Sequence, residues 1–443
     1  DRRSGFLPPT LYDTKNLGSG VSIPYFFDLG VDKNFTITNR VYVSENPLFL
    51  GEYHQAFRNS NLLTDFGYTE GYKKTSDTKK RGEKSHFFAK FVKNFTNKDD
   101  EYERTLNINL QEVSQDKYLK LYKIKSNLVD FNIETLENSI NFTHQEDDLS
   151  FSFNASVFET LKDNYEDKYE YILPEITLDK NLFLSENYGN LSLQSNYKAH
   201  NYSTNKLTNF LVNDFDWTSN DINFDSGIKT KILANLKNIN YESKNVDIYK
   251  DDPTSEIFGS LGLLSEINLR KNKGNSIHFL KPKMLVRLSP GSMRKETGDS
   301  RLNPTKAYNL NRVSNINNYE TGVSGTLGFD YKIKDKKGKN FDFSVAQIIS
   351  EKENKKMTDA SSMNEKLSDL VGSSNYTLNE NFVLKYDFSI DQNYRDFNYN
   401  EIGTNFNYGP LKIDFDYLRE NKHIGNQDYF KTELNLKNKD KGL

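Results

Sequence analysis

Cysteine is absent from the sequence, which excludes disulfides, thiolate metal sites and a cysteine nucleophile. Tryptophan occurs once and methionine four times. No stretch approaches the roughly 18 apolar residues of a membrane-spanning helix, so any crossing of a bilayer would have to be made by strands. A charge bias is missing as well. The 59 Lys and Arg are interspersed with 62 Asp and Glu, for a formal net charge of -3, and that balance implies no nucleic-acid partner. The six histidines, His54, His86, His144, His200, His278 and His423, show no metal-ligand spacing, and no H-E-x-x-H occurs. Each is expected at a surface or luminal position, with no metal or other cofactor. No G-x-S-x-G elbow occurs, and abundant carboxylates mean nothing without geometry, so no enzyme is expected. Asp1 is not a methionine and no signal peptide is seen, so the chain is expected to begin inside a longer precursor.

What the sequence does have is aromatic residues and alternation. Phe (31) and Tyr (27) bring the aromatics to 13%, as interface girdles would need; a codon usage rich in Asn, Lys and Phe is the other source of such an excess. The 27% of charged residues looks soluble, but a wide barrel is apolar only on its lipid side. A length of 443 residues suggests either two or three domains or one large barrel. Period-2 alternation recurs along the chain. Phe35, Ile37 and Val41 alternate with Thr36, Thr38 and Arg40, and residues 85–95 continue the pattern. Leu106, Ile108 and Leu110 follow, then Phe151, Phe153, Ala155 and Val157. Later come Phe341, Phe343 and Val345, then Leu384, Tyr386, Phe388 and Ile390. A sandwich also alternates, but so many strands would need a second core. The expected fold is therefore all-β: a large antiparallel transmembrane β-barrel, complete or incomplete, over residues 1–443 with roughly 20 or more strands. Ile413, Phe415 and Tyr417 are expected to face lipid, and Asp414 and Asp416 to face inward.

Loops of unequal length punctuate the pattern. The long polar ones are residues 73–84, 241–254, 291–306 and 350–375, and residues 359–370 have a helical flavour. Asp13-Thr14-Lys15-Asn16, Asp335-Lys336-Lys337-Gly338 and Asn438-Lys439-Asp440 read as turns. The basic run at residues 73–81 is either a solvated loop or a surface for sugar phosphates.

The opening stretch, residues 2–43, places prolines inside alternating segments. Pro9 and Pro24 lie on two segments that a turn near residues 16–19 would fold into a hairpin. Proline has no N–H for a ladder, so it belongs at edges or weak seams. Two ordinary edge or turn prolines fit the residues as well.

The residues around these prolines resemble a known family. Arg2-Arg3-Ser4-Gly5-Phe6-Leu7-Pro8-Pro9 and Ile23-Pro24-Tyr25-Phe26 are similar to the opening of the C-terminal barrel of the lipopolysaccharide-assembly outer-membrane proteins, the LptD (OstA) family. Further pieces follow in the family's order: Leu173-Pro174-Glu175-Ile176, then Leu280-Lys281-Pro282-Lys283 with Arg287-Leu288-Ser289-Pro290-Gly291. Asn309-Leu310-Asn311-Arg312 comes next, with Glu320 and Gly322, and then Ser368-Asp369-Leu370-Val371-Gly372. The G-x-D-R often seen within the piece that begins at Asn309 is Asn315-Ile316-Asn317-Asn318 here. The absence of cysteine also departs from relatives that tie barrel to N-terminal domain by disulfides.

The resemblance implies an outer-membrane translocon in a Gram-negative bacterium. It would insert lipopolysaccharide into the outer leaflet through a polar lumen and a lateral gate at Pro9 and Pro24. The implied partners are lipopolysaccharide, a plug lipoprotein in the lumen, periplasmic bridge proteins and membrane lipids, with a wide, unfilled interior to receive them. An N-terminal periplasmic jelly-roll and the closing strands are expected to lie outside this chain, which stops at Asp440-Lys441-Gly442-Leu443. A porin-like diffusion channel and an outer-membrane lipid hydrolase are the alternatives. The first would need a closed seam, the second a serine or carboxylate constellation.

Overall fold

The computed structural model describes residues 3–75, 79, 81–96, 102–162, 165, 167–298, 301–335, 338–379, 381–421 and 426–436. Twenty-five strands form one antiparallel sheet. Among the described residues the only other regular elements are a five-residue α-helix, Tyr118–Tyr122, and two 3-10 turns, Lys306–Tyr308 and Asp359–Ser361. The alternating segments named above all lie in strands.

The chain divides into two compact units. One comprises Asp1–Lys180, Gln194–Leu211 and Asn240–Thr254; the other comprises Asn181–Leu193, Val212–Ile239 and Ser255–Leu443. In the first unit β1 (Gly5–Phe6) and β2 (Thr10–Thr14) both pair with β3 (Gly18–Gly30), which pairs with β4 (Lys33–Tyr42). Each following strand pairs with the one before it as far as Tyr169–Ser185. In the second unit Ser276–Ser289 pairs with Thr254–Ile267 and Leu269–Lys273 on one side and Gly322–Asp335 on the other. The ladder then continues strand by strand to Gln427–Leu436.

Burial runs opposite to that of a soluble sheet. Leu261 (58% exposed), Leu288 (50%) and Leu327 (49%) stand on one face, while Ser260, Arg287 and Thr326 are buried on the other. Register makes the exposed residues contiguous: Leu261 sits opposite Leu288, Leu288 opposite Val323, and Met284 opposite Leu327. The first unit repeats this, with Phe66 and Phe87 paired on the exposed face and Asp65 and His86 buried behind it. A continuous exposed apolar face of this kind is sustained by an apolar medium rather than by water.

The opposite face is covered by the long connections. Residues 114–134, including the helix, pack Tyr118, Leu119, Tyr122, Ile124 and Val129 against Leu48, Phe88 and Leu136 of the wall. In the second unit residues 290–321 and 351–369 bring Met293, Leu302, Met357 and Met363 onto Ala346, Ile348 and Val371. The face expected to be bare is thus partly lined by the chain itself. Asp414 and Asp416 share strand parity with Glu420, which is buried against Arg301 of residues 290–321 at 2.9 Å. Their parity therefore places them on the covered face, as expected.

Five expectations need correction, two of them the loops at residues 73–84 and 241–254, which are shorter because Arg81–Thr96 and Ile228–Lys244 are strands. The helical flavour of residues 359–370 amounts to one 3-10 turn, because local side chains compete for the backbone: Ser361 Oγ donates to the Thr358 carbonyl at 2.7 Å and Ser362 Oγ accepts from the Asp369 N–H at 3.1 Å. The loop expected at residues 291–306 continues to 321, beyond the apolar Ala307, Leu310 and Val313. The loop at residues 350–375 ends earlier, because Leu370–Asn379 is a strand. The turn at residues 438–440, the chain's last residues and His423 lie outside the described residues.

If the exposed face contacts hydrocarbon, Leu327→Arg is expected to lower folding stability in lipid vesicles by about 2–4 kcal/mol, as for arginine near the bilayer midplane. Reversible unfolding in vesicles measures it. A change below about 0.5 kcal/mol would place this face in water, where surface substitutions have effects of that size.

Candidate functional site

The first strands form a weak edge whose geometry is set by prolines. Pairing of β1 with β3 comprises Gly5 with Phe26 and Phe6 with Tyr25; β2 resumes at Thr10 opposite Ser22. Residues 7–9 therefore span the two positions 23 and 24, one residue too many, and the bulge contains Pro8 and Pro9. The Leu7 N–H donates to the Pro24 carbonyl at 3.0 Å. A strand residue turns its N–H and C=O toward the same neighbour, so the donor that Pro24 lacks would have pointed back at Leu7. The weakness lies between β3 and the edge, and the ladder from β3 to β4 keeps Pro24 opposite Thr38. Outside β1's two pairs, the first residues are held by Ser4 Oγ accepting from the Asp28 N–H at 2.9 Å and by the Phe6 ring, edge-on to Tyr25 at 4.9 Å.

The other residues singled out by sequence are dispersed. Arg2 lies outside the described residues; Arg3 is exposed just before β1, and Gly5 is in it. Pro174 follows a cis peptide in Tyr169–Ser185, at an irregularity where residues 173 and 174 face Ala155 alone. Glu175 lies 3.5 Å from Lys198. Pro282 faces Phe329, and on its other side the pairing is interrupted between Thr254–Ile267 and Leu269–Lys273. Asp369 is buried, its Oδ2 accepting from Ser389 Oγ at 2.8 Å and Asn398 Nδ2 at 2.7 Å. Gly372 is required sterically, since a Cβ there would collide with the Phe388 ring.

Arg312 belongs to a second constellation, the clamp on residues 290–321. Its Nε donates to Glu320 Oε2 at 2.7 Å and its Nη2 to Ser324 Oγ at 2.9 Å and to Glu320 Oε1. Arg287 of the wall donates to the Leu310 and Glu320 carbonyls and lies 3.8 Å from Glu320 Oε1. Burial pushes the Glu320 carboxyl up, but Arg312, Arg287 and the hydrogen bonds from Arg312 outweigh it and hold the group below its ordinary value. Lys237, buried beside Asp214 at 2.8 Å, donates to the Ile316 carbonyl at 3.3 Å. Tyr319 stacks on Phe258 at 5.8 Å and its hydroxyl lies 2.5 Å from Ser260 Oγ; burial pushes that hydroxyl up to about 12. The arrangement fixes a segment by charge and carbonyl recognition and contains no nucleophile–base pair.

Sequence reading gave no role to Asp65, Tyr118 or Arg40, and His86, expected at a surface or luminal position, is buried. His86 Nε2 lies 2.6 Å from Asp65 Oδ1, with both side chains buried; the fold brings them together across two strands, and no spacing signals it. Among the described residues no group of His, Cys, Asp and Glu is arranged to hold a metal.

Comparison with known proteins gives likenesses of three kinds. The family model for LPS transport system D (LptD) matches residues 84–438. A stretch of 62 residues is 40% identical to the LPS-assembly protein LptD of Methylococcus capsulatus, covering 13% of this chain and 6% of that protein. The FrpB iron transporter of Neisseria meningitidis (F3-3 variant) aligns over 91% of this chain and 78% of its own, at 9% identity and a TM-score of 0.34.

Glu320 supplies a pH test. A carboxyl held below its unfolded value adds stability above that value and loses it as pH falls through the folded one; acidification below about pH 4, the ordinary Glu range, should loosen residues 290–321. Glu320→Gln leaves two buried arginines without a counter-charge and is expected to cost about 3–5 kcal/mol, much of it recovered in Arg312→Met with Glu320→Gln. Limited proteolysis of this segment and thermal unfolding report both effects.

Proposed function

Because the chain belongs to the LPS transport system D family, a family of transport proteins, we propose that it is the barrel wall of an outer-membrane translocon that delivers lipopolysaccharide to the outer leaflet of a Gram-negative bacterium. The observation that carries this reading is the weak edge at β1 and β2, set in a wall that is apolar outside and polar behind. A lipid with a large sugar head meets two incompatible media: acyl chains avoid water, and sugars avoid hydrocarbon. A wall that parts along one seam lets the sugar travel over polar side chains while the chains leave sideways.

Pro9 and Pro24 are one lip of that gate. A ladder bond contributes about 0.5–1.5 kcal/mol net, so missing donors in the pairing of β3 with β1 and β2 make it the easiest place to separate. The family resemblance implies the partners: a lipoprotein occupying the lumen, periplasmic proteins that hand over the substrate, and the lipids of the membrane.

In the full-length protein, Pro9→Ala with Pro24→Val should tighten the edge and slow delivery without impairing folding. A crosslink joining the first strands to the strand that closes the barrel should block delivery outright. Surface lipopolysaccharide and permeability to large antibiotics are the readouts. Normal delivery with the seam demonstrably closed overturns the gate.

A further inference from the structure

Arg40, on β4, is buried at 5% exposure and its guanidinium serves two elements. Its Nη1 donates to the carbonyl of Tyr122, the last residue of the helix Tyr118–Tyr122, at 2.7 Å. Its Cζ lies 4.6 Å from the centroid of the Tyr12 ring on β2, two strands away. Register explains the reach. Tyr12, Gly20 and Tyr42 form one row across β2, β3 and β4, and Arg40 occupies the next row, opposite Ser22 and Thr10. Gly20 leaves room for the row, since a Cβ there would collide with Tyr42.

Behind Arg40 the helix is also seated on strands further along the wall. Tyr122 packs edge-on to Tyr42 at 6.2 Å and against Tyr118 at 5.5 Å, and Tyr118 meets His86, which Asp65 holds. Among the described residues no carboxylate pairs with Arg40, and its Nε has no hydrogen-bond partner. The buried cation is thus held by a carbonyl of the covering segment, by Tyr42 on its own strand and by an aromatic face of the edge strand. A cation over a ring is worth up to about 2 kcal/mol once desolvated, so withdrawing Tyr12 unsettles the contact that Arg40 makes with Tyr122.

We propose that Arg40 is a positioning residue that pins β2 to the segment at residues 114–134, so that the edge parts from Pro8 and Pro9 toward β1 and stops at Thr10. The far end of β2 is anchored in the same sense: Leu17 is buried in the cluster beneath the helix and Lys79 Nζ donates to the Asn16 carbonyl at 2.9 Å. The pinning is a property of this wall, and it takes its functional meaning from the gate proposed above.

Hydrogen exchange of the full-length protein in detergent micelles tests it. Tyr12→Leu removes a ring on β2 whose link to the helix runs through Arg40, and it should speed exchange at residues 118–124 as well as 10–14, each about tenfold, while residues 84–95 keep their protection. Arg40→Met should do the same, and Arg40→Lys, which keeps the charge, should restore at least part of the protection. Acceleration confined to residues 10–14 in Tyr12→Leu overturns the pinning, and that variant decides the matter if Arg40→Met fails to fold. Coupled exchange together with unchanged surface lipopolysaccharide would count against the gate and leave the pinning standing.

Discussion

A peptide group inside hydrocarbon has no water to bond, so each N–H and C=O of a membrane wall must find its partner on a neighbouring strand. Strands as long as the 17 residues of Tyr169–Ser185, joined in antiparallel order, meet that demand. Positions where the ladder fails are therefore informative, and in this chain several of them are prolines. Pro282 interrupts pairing inside the wall, but its strand is held on both sides by neighbours. Pro24 differs in where its missing donor points: toward β1 and β2, whose only described partner is β3. The same chemical loss is flanked by pairing on both sides in one place and falls beside two short strands in the other.

The wall was legible in the sequence because lipid and lumen impose opposite demands on alternate residues. Phe151, Phe153 and Val157 announce a strand without knowledge of its neighbours. The covering segments were not legible in the same way. Tyr118, Leu119 and Tyr122 are apolar at helical spacing, but five residues are too few to stand out, and what they cover is decided by strand ends far away in sequence. Asp65 and His86 meet only because Asp65 lies opposite Phe88 and Gly67 opposite His86. Arg312 and Glu320 were visible as motif letters, and their ion pair was not, since it depends on how residues 311–321 turn back on themselves. The resemblance named the opening prolines; the bulge showed which ladder they weaken.

Both covering segments are held by arginines of the wall that read backbone carbonyls: Arg40 on Tyr122 in one unit, Arg287 on Leu310 and Glu320 in the other. A guanidinium has several donors in a rigid fork, so it can fix a segment without a regular ladder. Buried ion clusters are weak sources of net stability, and their better-attested use is to specify one arrangement over others. Apolar contacts such as Met293 and Met363 on Ile348 supply adhesion and tolerate sliding. The arginines choose the register.

The extra residue at Pro8 and Pro9 also sets the phase of the edge. Phe6 and Leu11 are five apart, so an unbroken strand would send them to opposite faces. With the bulge, Phe6 lies opposite Tyr25 and Leu11 opposite Val21, and both stand exposed on one side. Losing a single codon between Leu7 and Thr10 would force one of two outcomes. Either β1 turns Phe6 toward the polar side, or β2 turns Leu11 inward and Tyr12 out to lipid. At this point chain length is as tightly constrained as side-chain chemistry, and a one-residue deletion would do more damage than replacing either proline.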